Sequence, residues 1–173
     1  MTTNSKKLKL FCFYLGGKFK NAKLEMHDIA FGVGETVEDC FEQIKTQWVG
    51  ILKGLHIDAY MSVEELNGYN VSIECLDIIK EPTVRKDLYF INLGGCIKGF
   101  FGESHQCGFI IAGSQLGAMS RAKSIFKPDF GHVHTDNIIN MHKYIKDFNI
   151  YLSEDITLKD STPAITNCQI FVI

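Results

Sequence analysis

Imidazole and carboxylate groups recur at alternate positions along this chain, as Glu25-x-His27, His56-x-Asp58, Glu103-x-His105 and His132-x-His134-x-Asp136. Alternate residues of a strand share a face. Where two such strands are neighbours and in register, four ligand-type groups converge. Tyr60, two residues beyond Asp58, is read onto the same face, where its ring could stack on a bound molecule, although ordinary core packing is the preferred reading. The candidate ligand-binding residues are therefore Glu25, His27, His56, Asp58 and Tyr60, followed by Glu103, His105, His134 and Asp136. A His/His/carboxylate set can hold a divalent ion and leave one carboxylate as general base, the chemistry of a metal-dependent hydrolase. The same groups can instead hydrogen-bond one another across strands. No HExxH-type helical spacing fixes a metal geometry. Their presence in both halves favours two equivalent sites or a symmetric polar network over one active site, so no catalytic residue, metal or cofactor is assigned beyond the divalent-ion alternative.

Other features carry less chemistry. Gly16-Gly17 and Gly94-Gly95 each follow an apolar run, but no GxGxxG or GxxxxGK[ST] surrounds them, and a role in a sharp strand exit is the expectation. Six lysines (Lys6, Lys7, Lys9, Lys18, Lys20 and Lys23) precede the first acid. They read as a protected strand edge or as the lysine-bearing loops of a nucleotide-binding module. Cys107 lies two positions from His105 in the manner of a thiol and base pair, but its counterpart in the first half is Ile29.

The elements that must position these groups are visible in a self-comparison. Sliding the chain by 78 residues sets Leu10–Ala59 against Leu88–Asn137 without a gap, and 11 of 50 positions are identical. About three would be expected by chance. The identities include Gly16, Gly17, Glu25, His27, His56 and Asp58 against Gly94, Gly95, Glu103, His105, His134 and Asp136. KLFCFYLGG and LYFINLGG are nearly continuous apolar runs, expected as strands buried on both faces. LEMHDIAFGVG alternates as a second strand. Thr36 and Ser114 are the expected N-caps, with Asp39 placed as in a capping box. Val37, Phe41, Ile44 and Trp48 then recur at helical spacing, as do Met119, Ala122 and Phe126. LHIDAYMS and HVHTDNII follow as strands, and Asn67-Gly68 marks a tight turn that the second half lacks.

Composition limits the function classes. The 173 residues are 46% hydrophobic with a net charge of -2, enough for a packed core and without a basic field for non-specific nucleic-acid binding. No signal-like leader and no run of about eighteen apolar residues is present, so a soluble cytoplasmic protein without a membrane partner is expected. The six cysteines are scattered singly and read as reduced, mostly buried thiols.

The stretch LFCFYLGGKFKNAKLEMHDIAFGVGETVEDCFEQIKTQW, with LHIDAYMSVEELNGYNVSIE, resembles a bacterial family catalogued as domain of unknown function 1543. Its carriers are Leu15-Gly16-Gly17, Glu25-x-His27, the Phe31–Gly34 exit and Leu55-His56-Ile57-Asp58. The second half keeps Leu93-Gly94-Gly95, Glu103-x-His105 and His134-x-Asp136 and departs elsewhere, with Cys96 in place of Lys18. The resemblance implies a small bacterial domain in one or two copies and supplies no reaction. The expected fold class is α+β: two strand-strand-helix-strand-strand repeats packed as one pseudo-two-fold symmetric domain. Repeat one spans 8–76, a linker 77–85, repeat two 86–152 and a strand-like tail 153–173. The expected function is a non-enzymatic domain binding a small ligand or a protein, with room for a homo-oligomer. The alternatives are the divalent-metal hydrolase and the nucleotide-binding module.

Overall fold

The computed structural model describes residues 7–126, 131–159, 162 and 164–173, the last through backbone alone over 164–172. It is a mixed α+β structure, and the chain divides into two compact units. One comprises Met1–Glu65, Val71–Ile73 and Ser161–Ile173, and the other Leu66–Asn70 and Glu74–Asp160.

In the first unit, the apolar run forms β1 (Lys9–Lys18), with every inner residue buried except Tyr14. Such a strand suits the middle of a sheet covered on both faces. It lies between β2 (Met26–Gly34) and β3 (Ile51–Ser62), and β10 (Ala164–Val172) adds to β3, giving the antiparallel order β10-β3-β1-β2. The expected strand-like tail thus supplies an outer strand. Between β2 and β3 the chain makes a 3-10 turn at Glu38–Cys40 and continues as α1 (Phe41–Gln47). Thr36 is not the cap: Asp39 Oδ2 accepts from the Glu35 and Thr36 backbone N–H groups at 3.1 and 2.9 Å and from the Thr36 hydroxyl. A short carboxylate reaching back holds this entry, so the first turn winds tighter than an α-helix. Phe13, Leu15, Ile44, Leu55 and Ile57, all at most 1% exposed, centre the core. Each such side chain contributes about 1.5–3 kcal/mol by leaving water.

The second unit has the same order of pieces. β6 (Asp87–Gly95) is the middle strand of β7-β6-β8, with β7 (Ser104–Ala112) and β8 (Val133–Asn140) antiparallel to it. Between them lies α2 (Gln115–Phe126), where Ser114 Oγ accepts from the Gly117 N–H at 3.1 Å, as expected of an N-cap. Ile91, Leu93, Ala118 and Ala122 are fully buried in its core. After β8 come α3 (Met141–Tyr144), capped by Asn140, and β9 (Phe148–Glu154). The short strands β4 (Glu65–Leu66) and β5 (Tyr69–Cys75) are joined by a tight turn. They turn at Asn67 and Gly68 with φ of 48° and 87°, the left-handed pair that the Asn-Gly dipeptide predicts. Among the described residues no helix is long and apolar enough to cross a membrane.

Edge strand β2 is blunted by side chains. Gln47 accepts from the Phe31 N–H at 3.0 Å and donates to the Phe31 carbonyl at 2.6 Å, and Gln43 does the same for Val33 at 3.0 and 2.7 Å. Two glutamines one helical turn apart therefore stand in for a neighbouring strand. In the second unit Arg121 reaches the Ile111 carbonyl at 3.4 Å. Gln43→Ala and Gln47→Ala should each lower stability by about 1–3 kcal/mol in urea unfolding, because buried peptide groups lose their partners. The double variant should self-associate in size-exclusion chromatography.

Candidate functional site

In the first unit, register decides which side chains meet. Gly16 of β1 pairs with His27 on one side and His56 on the other. Tyr14 pairs with Ala59 and Leu15 with Ile57, so Asp58 has no opposite residue and forms a β-bulge. The bulge sets Asp58 between the two rings: its Oδ2 is 3.2 Å from His27 Nε2 and its Oδ1 3.3 Å from His56 Nε2. Glu25, just before β2, brings Oε1 to 3.7 Å from His56 Nε2. His56 Nδ1 lies 3.0 Å from the Gly54 carbonyl. A carbonyl only accepts, so Nδ1 carries a proton and Nε2 is the atom turned to the carboxylates. Gly54 has φ of 86°, a left-handed conformation that favours glycine. On the other side of the cluster His27 stacks on Tyr14, with ring centroids 5.0 Å apart.

The second unit repeats this pattern with its own residues. Gly94 pairs with His105 and with His134, and the register slips between Asn92 and Leu93, leaving Asp136 as the bulged residue. Asp136 lies 2.8 Å from His134 Nε2 and 3.2 Å from His105 Nε2. Glu103 touches both rings, at 2.9 Å from His134 and 3.6 Å from His105. Eight of the nine candidate residues thus fall into two clusters of four.

Tyr60 is the ninth, and it lies elsewhere. The bulge at Asp58 reverses the alternation of β3, so Tyr60 turns to the core side of Leu55 and Ile57 and packs beside Phe11 and Phe13, with centroids 6.4 and 6.2 Å away. The glycine pairs also differ from expectation. Gly16, Gly17 and Gly94 are strand residues with ordinary φ, not parts of a sharp exit. A Cβ on Gly16 would stand 2.6 Å from His56 Nε2 and 2.8 Å from Asp58 Oδ2, and one on Gly94 would meet Asp136 Oδ2 at 2.5 Å. These glycines make room for the clusters, whereas Gly17 makes room for Trp48.

The other singled-out residues are distributed more plainly. His132 is exposed ahead of β8. Lys7 and Lys9 both pair with Glu64, at 2.8 and 2.9 Å, whereas Lys18 and Lys23 line a cavity of about 310 Å³ that Glu25 also borders. Among the described side chains, Cys12 and Cys40 are buried, Cys107 is half-buried, and Cys75 and Cys96 are exposed, whereas the side chain of Cys168 lies outside the described residues. Burial pushes the Cys40 thiol up to about 12, with Asp39 and Glu38 adding to the effect. Burial also raises the Cys107 thiol, which works against a thiolate at this position.

The first cluster lies wholly inside a stretch shared with other proteins. Residues 22–73 match the family described as Domain of Unknown Function (DUF1543). Among solved structures, the chain is similar to the one titled "Crystal structure of a protein Il1583 from Idiomarina loihiensis", with a TM-score of 0.65 and 26% identity over 86% of this chain and 87% of that one. A comparison with curated proteins finds no match.

Both clusters present carboxylate oxygens that can accept from a cationic donor. Among the described residues, no group of three or more His, Cys, Asp or Glu side chains is set to hold a metal ion. Gly16→Ala should lower stability by about 1–3 kcal/mol through overpacking. It should also displace the His56 and Asp58 side chains, seen as shifted imidazole resonances of His56 in NMR while those of His105 stay in place. His142, outside both clusters, is held below its ordinary 6.5 by burial, with Asp87 partly opposing. The unfolded chain therefore takes up its proton first: the stabilising contribution is full above about 6.5 and is lost as pH falls towards the lower folded value. His142→Gln should flatten that part of the stability–pH profile.

Proposed function

We propose that this protein is a non-enzymatic small-ligand-binding domain of the bacterial cytoplasm, built from a duplicated unit, in which each unit offers its Glu/His/His/Asp cluster to a cationic group of the ligand. One observation carries the reading: in each unit four ionisable side chains meet over a glycine at the end of the middle strand. Glu25 and His105 are each 48% exposed, whereas His56 and Asp58 are half-buried. Each cluster holds two carboxylates, whose remaining oxygen lone pairs can accept from an ammonium or guanidinium donor. The shared 78-residue offset of strands, glycines and bulges supports the duplication. Free cysteines are consistent with a reducing compartment.

A divalent-metal hydrolase is the second reading, favoured by the proton placed on His56 Nδ1 by the Gly54 carbonyl. Metal-ligating histidines are oriented in this way.

Calorimetric titration with ethylenediamine, guanidinium and zinc separates the readings. Binding of either organic cation, abolished by Asp58→Asn with Asp136→Asn while the melting temperature holds, is the expected result. Tight stoichiometric zinc favours the hydrolase. If no probe binds and the same substitutions melt the protein by many degrees, the clusters are structural pairings and the proposal fails.

A further inference from the structure

The second unit contains a cavity of about 410 Å³ apart from the cluster, bordered by Pro82 and Val84–Asp87, by His142 of α3 and by Ile150–Leu152 of β9. Its volume lies in the range of small-molecule sites. The lining divides into an apolar part and a polar end. Ile150 and Leu152 are 7% and 6% exposed and, with Val84 and Pro82, give an aliphatic wall.

That wall is braced. Thr83 Oγ1 donates to the Leu152 carbonyl at 2.8 Å, the Lys80 N–H donates to the Tyr151 hydroxyl at 2.8 Å, and that hydroxyl donates to the Ile78 carbonyl at 3.0 Å. The linker is thereby laced to β9, so the cavity is a formed feature and not a gap between loose segments.

At the polar end, His142 Nε2 is shielded from solvent and has no hydrogen-bond partner within the protein. That nitrogen is closed off from the cavity, so His142 contributes to the lining through the rest of its ring. The charges around it are unequal. Lys86 is tied to the Tyr69 hydroxyl and lies 3.7 Å from Glu154. Asp87 accepts from Asn140 Nδ2 at 2.7 Å. Arg85 lines the cavity, is exposed, and makes no ion pair among the described residues. Glu154 offsets Lys86, so the cation left to face an incoming anion is Arg85.

We infer that this cavity binds a small apolar monocarboxylate, its hydrocarbon body against Val84, Ile150 and Leu152 and its carboxylate on the Arg85 guanidinium. A guanidinium recognises a carboxylate through two parallel hydrogen bonds. A neutral analogue of the same shape loses that interaction, so the class is set by charge as well as by the apolar wall.

The test uses benzoate and hexanoate as probes, with benzamide and hexanamide as uncharged controls, in two-dimensional amide NMR of the full chain. The expected result is saturable shifts at 84–86, 142 and 150–152 with at least one acid and little with its amide. Arg85→Gln, an exposed position that leaves the core intact, should weaken the acid by about tenfold or more. Asp136→Asn, in the cluster of the same unit, should leave it unchanged, which keeps this site separate from the cation-binding reading. The inference is overturned if neither acid shifts these amides, if the amides bind as well as the acids, or if Arg85→Gln binds benzoate and hexanoate like the parent protein.

Discussion

The middle strand of each sheet must be apolar almost throughout and yet bare at one point. β1 and β6 are buried between two neighbours, and at Gly16 and Gly94 the rings of flanking histidines and the carboxylate of a bulged aspartate occupy the volume that a Cβ would need. Side-chain volume, and not backbone conformation, is the constraint, because these glycines have φ values that any residue adopts. The clusters, the bulges and the alternation of β3 and β8 all follow from it. Filling the space would push polar groups out of a half-buried site, where they are paired, to positions where they are not.

The bulge is the second link. An unbulged β3 would carry His56, Asp58 and Tyr60 on one face; the extra residue at Asp58 instead lets the polar pair and the core-facing Tyr60 coexist on one strand. The same slip beside Asp136 turns Ile138 to the core of its own unit. Local irregularity is thus how a single strand serves both an apolar interior and an exposed polar group.

Much of this was legible in the residues. The apolar runs ending in glycine pairs became middle strands, Asn67-Gly68 became a left-handed turn, and the Glu-x-His and His-x-Asp pairs did meet within each unit. What escaped is of one kind. A bulge has no period, so alternation put Tyr60 on the wrong face. The glutamines of α1 read as ordinary helix formers, because nothing in Gln43 and Gln47 except their one-turn spacing marks them as partners for a strand edge. The cavity beside Arg85 and His142 draws on three separate segments and left no local signal.

The outer strand β10 comes from the far end of the chain, although the sheet it completes starts with β1. The unit whose strands leave the ribosome first is consequently the one finished last. Without residues 164–172, β3 has an open side. A fragment cut after β5 would keep all four residues of the first cluster and still lack the strand that shields their sheet.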